Sequence, residues 1–380
     1  MSPQFDPSTV RQSYRCELVE ELRSAGSKTV GEVTILLPQS LGFCWGVDRA
    51  LSMVQEARAQ YQGRPLWLIS SIIHNPRVNS DLRNQGIGFL RGEHSKPGDW
   101  EALSENDVVI VPAFSATVED MDHLRQRKVA IVDTTCPWVI KPHKRTLKYV
   151  KEGFTTVIHG TVGHEETEAT CSLILANGGH FVVVYSLQEA ECLSAFIEGE
   201  ASAAELKCSL REGSFSPGFD FETHMQRLGL INQTTMLASE SRAIGERLLQ
   251  AISKRDGQDM VADYFRDFDT ICRATQDNQD AASAVVDKNP DLYLVVGGYD
   301  SSNTKNLARV GHRLGIPAYH IEGPHCLGDQ LEYRHRTSGE ILRCSDWLPA
   351  KRPLTVAFSA GASTPDTLLG EVIERLLELC

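Results

Sequence analysis

The sequence predicts an α/β protein with small, mostly parallel sheets, and three observations lead to that class. Short apolar stretches such as Val108–Val111 alternate along the chain with longer stretches of helical spacing such as 137–151. This alternation is typical of strand–loop–helix units whose strands pair in parallel. Hydrophobic residues make up 41% and charged residues 23% of the chain, which excludes disordered, collagen-like and simple coiled-coil proteins.

The elements can be placed in chain order. Residues 9–26 have the spacing of a short amphipathic helix, which ends at Gly26, and Gly31 follows. Apolar stretches predict strands at 33–37, 65–73, 108–111, 128–132, 154–158, 181–185, 292–296 and 354–359. Apolar residues at helical spacing predict helices at 47–61, 79–86, 137–151, from about 165, and at 239–254, 279–287, 304–315 and 366–379. Residues 199–227 lack a clear hydrophobic period and are interpreted as an inserted segment.

The charge balance excludes some partners. The chain carries 38 Lys and Arg against 50 Asp and Glu, a net charge of −12. A general nucleic-acid binder is basic, so that class is disfavoured, although a locally positive site can still hold an anionic substrate. No apolar stretch approaches the roughly 18 residues of a membrane span, and the first residues fit neither a secretory signal nor a transit peptide. We therefore expect a cytoplasmic protein without membrane or nucleic-acid partners.

Ten cysteines, none in a C-x-x-C pair, predict reduced thiols rather than a disulfide framework. Three of them, Cys44, Cys136 and Cys272, share one setting, a loop shortly before a predicted helix, and lie about one domain apart. A helix N-terminus favours the thiolate, which is the form that binds iron or zinc. The residues alone leave two interpretations open, a shared metal centre and three buried thiols.

Two further strand-to-helix loops carry groups that suit an anion. Ser301, Ser302 and Asn303 lie in the first loop, at 297–303, and Ser363 lies in the second, at 359–365. Hydroxyl groups and backbone N–H groups at a helix start fit phosphate oxygens, although the same side chains also serve as helix caps.

Two histidines and a glutamate follow other predicted strands. His74 ends one strand, and His164 stands two residues before Glu166 in a Gly-flanked loop. A histidine could hold an anion there while Glu166 delivers a proton. Taken singly, each histidine is more often structural, and Glu166 could simply favour the helix dipole from the first turn.

The chain has no G-x-G-x-x-G after a strand, no P-loop and no G-x-S-x-G, so dehydrogenases, P-loop NTPases and serine hydrolases lose support. Taken together, its loops resemble the 4-hydroxy-3-methylbut-2-enyl diphosphate reductases of the non-mevalonate isoprenoid pathway, in the plant and cyanobacterial branch. The matching stretches are GFCWGVDRA at 42–50, HNPRVNSDLRNQG at 74–86, VDTTCPWVIKPHKR at 132–145, HGTVGHEETEAT at 159–170, NQTTM at 232–236, DTICRATQDNQDA at 269–281, GGYDSSNTKNLA at 297–308 and SAGASTPDTLLGEVI at 359–373.

The resemblance implies three pseudo-equivalent α/β lobes around a central [4Fe-4S] cluster. Cys44, Cys136 and Cys272 match the three cysteines that hold the cluster, and its fourth iron stays open for the substrate. On this basis the chain divides into an N-terminal helical extension at 1–30, lobes at 31–134, 135–262 and 263–355, and a strand–helix at 356–380 that closes the site. The second lobe carries an insertion near 186–228.

The implied reaction is a reductive dehydroxylation that yields isopentenyl and dimethylallyl diphosphates. Two electrons from a ferredoxin- or flavodoxin-type donor and two protons enter, and water leaves. Glu166 matches the residue that delivers a proton, and Thr234 matches a residue near the departing hydroxyl. The residues that match diphosphate-binding positions are His74, His164, Ser301, Ser302, Asn303 and Ser363.

One departure concerns the segment 114–118, where many bacterial members carry a histidine that also contacts the diphosphate. Thr117 stands at about that position here, so this one contact is left open. Two alternative functions are a zinc enzyme, with the three cysteines and a histidine as ligands, and a non-catalytic α/β protein that binds a phosphorylated metabolite.

Overall fold

The structure, a computed structural model, describes residues 12–313 and 315–380. Its strands are β1 (Ser27–Val30), β2 (Val33–Leu36), β3 (Leu66–Leu68), β4 (Gly88–Phe89), β5 (Val108–Val111), β6 (Ala130–Asp133), β7 (Thr155–His159), β8 (Phe181–Val184), β9 (Leu228–Asn232), β10 (Phe265–Asp267), β11 (Leu292–Val296), β12 (Ala318–Ile321), β13 (Leu331–Arg334), β14 (Ile341–Cys344) and β15 (Leu354–Ala360). Its helices are α1 (Glu17–Ala25), α2 (Trp45–Gln60), α3 (Pro76–Asn84), α4 (Val118–Gln126), α5 (Pro137–Lys151), α6 (Glu165–Ala176), α7 (Leu187–Ile197), α8 (Ala203–Ser209), α9 (Phe221–His224), α10 (Ala238–Asp256), α11 (Val261–Tyr264), α12 (Arg273–Val286), α13 (Ser302–Arg313) and α14 (Asp366–Leu379).

The described chain falls into two compact units, and each is best understood by itself. The first unit contains the described residues up to Asp99 together with Arg273–Cys380, and the second contains Trp100–Cys272. The α/β class with small, mostly parallel sheets is confirmed in both. The predicted division into three lobes stays a prediction.

In the first unit a seven-stranded sheet has the order β1-β2-β15-β11-β12-β13-β14. The four central strands run parallel, and β1, β13 and β14 are antiparallel edge strands. Successive side chains of β15 alternate between the two faces, as the strand period requires. Phe358 packs in the core that α1 and α14 cover, and Ala357 packs in the core that α12 and α13 cover. A short parallel pair, β3 and β4, also belongs to this unit.

The neighbouring strands β11 and β15 send their helices to opposite faces of this sheet. Leu307 of α13 belongs to one core, and Leu369 of α14 belongs to the other. Val296 and Ala360, the last residues of the two strands, are register partners, so the following loops begin side by side. Ligands of parallel α/β sheets bind at such a switch point, beyond the carboxyl ends of the strands.

The second unit repeats this arrangement in a smaller sheet of order β10-β9-β7-β8, which is parallel throughout. Its helix α6 packs through Ile174 beside Tyr149 of α5, whereas α10 packs through Leu248 beside Leu193 of α7, on the other face. The switch point therefore lies between β7 and β9. The parallel pair β5 and β6 also belongs to this unit.

Most predicted elements are present. The strands predicted at 108–111 and 292–296 and the helices predicted at 137–151 and 366–379 are confirmed with the same bounds. The strand predicted at 65–73 is confirmed only over Leu66–Leu68. The N-terminal helix is confirmed over Glu17–Ala25, and residues 9–11 of that prediction lie outside the described residues.

Some elements were not predicted, and local reasons explain them. Strand β9 contains Gly229, a poor strand former, but a Cβ at this position would stand 2.5 Å from the Tyr149 ring, so only glycine fits. The inserted segment contains α7, α8 and α9, of which the last two are too short to show a helical period. The capping box of Ser202 and Glu205 at the start of α8 was the available signal.

Among the described helices, none combines the length and the low polarity that crossing a bilayer demands.

Candidate active site

The switch point of the second unit brings two predicted site residues into contact. Glu166 lies in the first turn of α6, just beyond β7, and Thr234 lies just beyond β9. The Thr234 N–H donates to Oε1 of Glu166 over 2.8 Å, and the Thr234 hydroxyl donates to Oε2 over 2.9 Å. Both residues are almost fully buried, at 3% and 4% exposure. The structure therefore pairs the predicted proton donor with the predicted hydroxyl-positioning residue.

Burial shifts the acidity of this carboxyl. The cost of desolvating the carboxylate raises the pKa of Glu166 from 4.5 to about 7, and the two hydrogen bonds from Thr234 oppose part of that rise. A group with a pKa near 7 is protonated in a large fraction of molecules at neutral pH and can also lose its proton. Such a group is suited to general acid catalysis.

His164 is held directly before this glutamate. It occupies the N-cap of α6, and its Nδ1 accepts a hydrogen bond from the Glu166 N–H over 3.2 Å. Because Nδ1 is the acceptor, the proton of the neutral ring lies on Nε2. The predicted anion-binding nitrogen is thus presented as a donor at a helix N-terminus.

Gln233 was not singled out from the sequence, yet it positions the same loops. Its Oε1 accepts hydrogen bonds from the Thr161 N–H over 3.0 Å and from the Thr167 hydroxyl over 3.3 Å. It thereby ties the loop after β9 to the loop after β7. Its place in the NQTTM stretch, directly before Thr234, was the signal that could have identified it.

Cys272 is attached to the same loop by its backbone. Its N–H donates to the Thr234 carbonyl oxygen over 3.1 Å, two residues after Thr270 bonds to the backbone of Asn232. These bonds hold the segment before α12 against the loop that carries Thr234. The structure brings Cys272, Thr234 and Glu166 together, as three members of one hydrogen-bonded set.

The other two predicted cysteines have the local setting that the sequence indicates. Cys136 is the N-cap of α5, with Pro137 in the first helical position, and its N–H donates to the Ala113 carbonyl oxygen over 2.8 Å. Cys44 is the N-cap of α2, and its N–H donates to the Ala362 carbonyl oxygen over 3.2 Å. Neither sulfur accepts a capping hydrogen bond from its own helix.

The three thiols fit a soft metal or an iron–sulfur group. Cys44, Cys136 and Cys272 are all half-buried, and each directly precedes a helix, where the dipole favours a thiolate. All ten cysteines lie in the described part of the chain, and none of them forms a disulfide there. Thiolates in this setting are the usual ligands of such groups.

At the switch point of the first unit, the two predicted anion loops are joined to each other. The Asn303 Oδ1 accepts a hydrogen bond from the Ala362 N–H over 3.0 Å, and the Thr364 hydroxyl donates to the Val296 carbonyl oxygen over 2.9 Å. The Ser363 hydroxyl donates to the His74 carbonyl oxygen over 3.2 Å. The structure thus gathers His74, Asn303 and Ser363 in one place.

Two other residues of these loops, Ser301 and Gly298, have capping and packing roles. The Ser301 Oγ accepts a hydrogen bond from the Thr304 N–H over 3.2 Å at the start of α13. Gly298 passes so close to His74 that a Cβ there would stand 2.5 Å from the His74 carbonyl oxygen. Ser301, Ser302 and Asn303 are nearly buried, at 3%, 7% and 3% exposure. This packing leaves a tight, hydroxyl-rich helix start, which suits phosphate oxygens.

Thr117 has a structural role that the sequence did not reveal, because α4 itself was not predicted. It is the N-cap of that helix, and its Oγ1 accepts a hydrogen bond from the Asp120 N–H over 3.2 Å. The hydroxyl is therefore already engaged as an acceptor.

The known proteins that this chain resembles all point to one family. A family model described as "LytB protein" matches residues 35–377. A protein of Gloeobacter violaceus named 4-hydroxy-3-methylbut-2-enyl diphosphate reductase is 41% identical to this chain, over 97% of this chain and 89% of its own length. A Synechococcus protein of the same name is also 41% identical, over 98% of this chain and 90% of its own length.

The solved structures agree with these relatives. One is described as the structure of (E)-4-hydroxy-3-methyl-but-2-enyl diphosphate reductase, the terminal enzyme of the non-mevalonate pathway. It matches with a TM-score of 0.52 and 25% identity, over 91% of this chain and 99% of that one. The resemblance that the sequence motifs indicate is confirmed.

Proposed function

The chain belongs to the LytB protein family, and on that premise we propose that it reduces 4-hydroxy-3-methylbut-2-enyl diphosphate, with Glu166 as the proton donor. The observation that carries this proposal is the buried Glu166–Thr234 pair at the switch point between β7 and β9. The reaction exchanges an allylic hydroxyl for hydrogen. It consumes two electrons and two protons and releases one water.

Glu166 and Thr234 provide a route for the proton that the departing hydroxyl needs. When Glu166 is protonated, its O–H can donate to the Thr234 oxygen, because the two oxygens lie 2.9 Å apart. The Thr234 hydroxyl proton is then free to turn toward the substrate. The buried carboxyl with a pKa of about 7 therefore acts as a proton store, and Thr234 orients the leaving hydroxyl.

The family's cofactor accounts for the three cysteines. Cys44, Cys136 and Cys272 are the residues that would hold a [4Fe-4S] cluster, and their thiol chemistry and helix-start settings suit it. When bound, such a cluster supplies a Lewis acid for the hydroxyl and a relay for electrons. A ferredoxin- or flavodoxin-type protein is the proposed electron donor, and a cytoplasmic location stays a prediction.

The diphosphate is assigned to the loops that open α3 and α13 and precede α14, together with His164 at the N-cap of α6, which matches a diphosphate-binding position of the family. Ser301, Ser302, Asn303 and Ser363 offer hydroxyl, amide and backbone donors, and His74 and His164 offer ring nitrogens. Donors that face a charged oxygen contribute about 1.5–3 kcal/mol each, more than neutral pairs. The substrate is therefore anchored by its charged end, which leaves its hydroxyl for the proton donor.

The experiment that tests this function is anaerobic purification, followed by iron and sulfide analysis and a reductase assay with dithionite as the reductant. A brown protein that contains iron and sulfide and turns over the substrate supports the proposal. A colourless zinc protein would favour the zinc enzyme instead. A protein that binds the diphosphate without reductant-dependent turnover would be a binding protein.

Asn303→Asp should raise the KM for the substrate by about 10- to 100-fold. The carboxylate still accepts the Ala362 N–H, and it can accept the Thr275 hydroxyl to which the Asn303 amide now donates over 3.5 Å, so the loop should hold. It replaces an amide donor with a negative charge beside the diphosphate. Asn289→Asp adds the same charge at an exposed turn and should leave KM unchanged. Steady-state kinetics of both variants check this, and equal KM values would remove Asn303 from the diphosphate site.

Thr117→Ala should lower the free energy of unfolding by about 1 kcal/mol, because α4 loses its N-cap, and should raise KM by about tenfold or less. Thr117→Ser keeps the cap and should resemble the unchanged chain in both measurements. His74→Ala and His164→Ala should raise KM clearly more. Thermal melts and kinetics measure the two effects separately. If Thr117→Ala raised KM as much as His164→Ala does, the loop that carries Thr117 would be a principal diphosphate contact.

A further inference from the structure

Helix α5 carries an unusual concentration of positive charge on one face. Lys141, Lys144, Arg145 and Lys148 follow one another at intervals of three, one and three residues, so they share one side of the helix. Together with Pro137, Ile140 and Phe268 they line an open groove of about 370 Å³. No carboxylate is among the lining residues. In a chain whose net charge is −12, this groove is a basic exception.

Two of the four cations in this groove are held in place by an aromatic ring, and one of the other two has a carboxylate nearby. The Arg145 guanidinium stacks 3.6 Å from the centre of the Phe268 ring, and the Lys141 ammonium lies 5.1 Å from the same ring. Lys141 also donates to the Asp269 carbonyl oxygen over 3.3 Å. Lys144 is exposed, and Lys148 lies 3.6 Å from a Glu152 carboxylate oxygen. Arg145 and Lys141 are therefore preorganised, so little of their side-chain entropy is lost when an anionic surface binds.

The groove has the composition of a transient protein interface. Ile140 and Phe268 give the groove an apolar floor. Trp138, 40% exposed, lies beside it, with its ring 5.5 Å from the Lys141 ammonium. Exposed Trp and Arg side chains within a charged rim are typical of binding surfaces. The four cations span only seven residue steps, about 10 Å of helix, so they could neutralise few phosphates of a nucleic acid. A basic patch of this size matches an acidic patch on a small folded protein.

The basic groove lies close, along helix α5, to a cysteine that is proposed to hold the cofactor. Cys136 is the N-cap of α5, and Lys141 lies five residues further along. At 1.5 Å per residue, the basic groove begins within about 8 Å of Cys136 along the helix axis. A partner that sits on this face is therefore close to a proposed cluster ligand.

We infer that the basic face of α5 is the docking surface for an acidic one-electron carrier protein, which reduces this enzyme beside Cys136. The inference rests on the proposed function, since it takes Cys136 as a cluster ligand. Each docking event oxidises the carrier by one electron, and two events supply the two electrons that one substrate consumes. A carrier that must leave after each electron needs fast, salt-sensitive association, which electrostatic steering provides.

The test uses the anaerobic holoenzyme and an acidic plant-type [2Fe-2S] ferredoxin as the probe. Lys144→Glu with Lys148→Glu is compared with Lys207→Glu plus Lys288→Glu, a control that makes the same change in net charge at exposed positions elsewhere. At low ionic strength the groove variant should bind ferredoxin about tenfold or more weakly, and the difference should shrink in high salt. The ratio of ferredoxin-driven to dithionite-driven turnover should fall in parallel. The control should stay within about twofold of the unchanged chain in both measurements.

A wrong docking surface and a wrong proposed function would give different results in this experiment. Equal ferredoxin affinity and equal turnover ratios in the groove variant and its control would overturn the docking surface. A raised KM for the diphosphate with an unchanged turnover ratio would also overturn it, because the groove would then serve the substrate. Loss of all turnover in the unchanged chain would contradict the proposed function instead, while direct ferredoxin binding would still test the surface. Lys144→Ala with Lys148→Ala repeats the comparison if the charge reversals unfold α5.

Discussion

Glu166→Gln should lower kcat by about 10²- to 10⁴-fold while leaving the KM for the substrate and the bound iron nearly unchanged. The amide preserves the packing: its oxygen can accept the Thr234 N–H, and its NH₂ group can donate to the Thr234 oxygen. It cannot release and regain a proton at any accessible pH. The loss should therefore appear in kcat, measured with dithionite so that electron delivery by a partner plays no part.

The pH profile offers an independent check of the same residue. Only the protonated carboxyl donates a proton, so the kcat of the unchanged chain should fall as pH rises through about 7, the raised pKa of Glu166. The residual rate of Glu166→Gln should lack this step. Glu168→Gln, an exposed position on the same helix, is the matched control and should keep both the rate and the step.

Stability distinguishes lost chemistry from lost structure. Burial raises the pKa of Glu166 above its unfolded value of 4.5, so the folded state holds the proton more tightly than the unfolded state. Stability is then lost as pH rises from about 4.5 to about 7, and at pH 8 the buried carboxylate is a cost. Glu166→Gln removes that cost, so its Tm at pH 8 should equal or exceed that of the unchanged chain. A near wild-type kcat would show that the proton comes from elsewhere, such as the substrate's own diphosphate.

The fold class could be predicted because most elements have a strong local signal. Strand β5 is four apolar residues in a row, and α14 has regular helical spacing, so their bounds were predicted correctly. Strand β9 was missed because its glycine serves a tertiary contact, the Tyr149 ring, which no local pattern contains. Helix α4 was missed because its residues are mostly polar and its cap, Thr117, resembled a substitute for a ligand.

The candidate site also combines features that the sequence shows locally with contacts that depend on the fold. The hydroxyl-rich loops and the cysteines before helices are local features, and the sequence indicated them directly. The contact between Glu166 and Thr234 depends on the register of β7 with β9, since these residues lie 68 positions apart. The basic face of α5 shows the same limit: its four cations are visible as a helical pattern, but Phe268, which holds two of them, comes from a distant segment. Contacts between residues on different strands or distant segments can be identified only once the fold is known.

Cys272→Ser should remove most of the bound iron and sulfide and, with them, the reductase activity. The serine hydroxyl stays protonated where the thiol ionises, so it is a poor iron ligand. The backbone bond from residue 272 to the Thr234 carbonyl oxygen does not involve the sulfur, so the loop should stay in place. Circular dichroism should therefore show an unchanged fold.

Cys208→Ser is the matched control, because Cys208 is exposed and lies in the same unit as Cys272. It should keep iron, sulfide and activity at the level of the unchanged chain. Metal and sulfide analysis after anaerobic purification measures the cofactor directly, without reliance on turnover. An intact cluster in Cys272→Ser would contradict the ligand assignment. In that case the hydrogen bond between Cys272 and Thr234 would have only a structural role, and the third ligand would be one of the other cysteines.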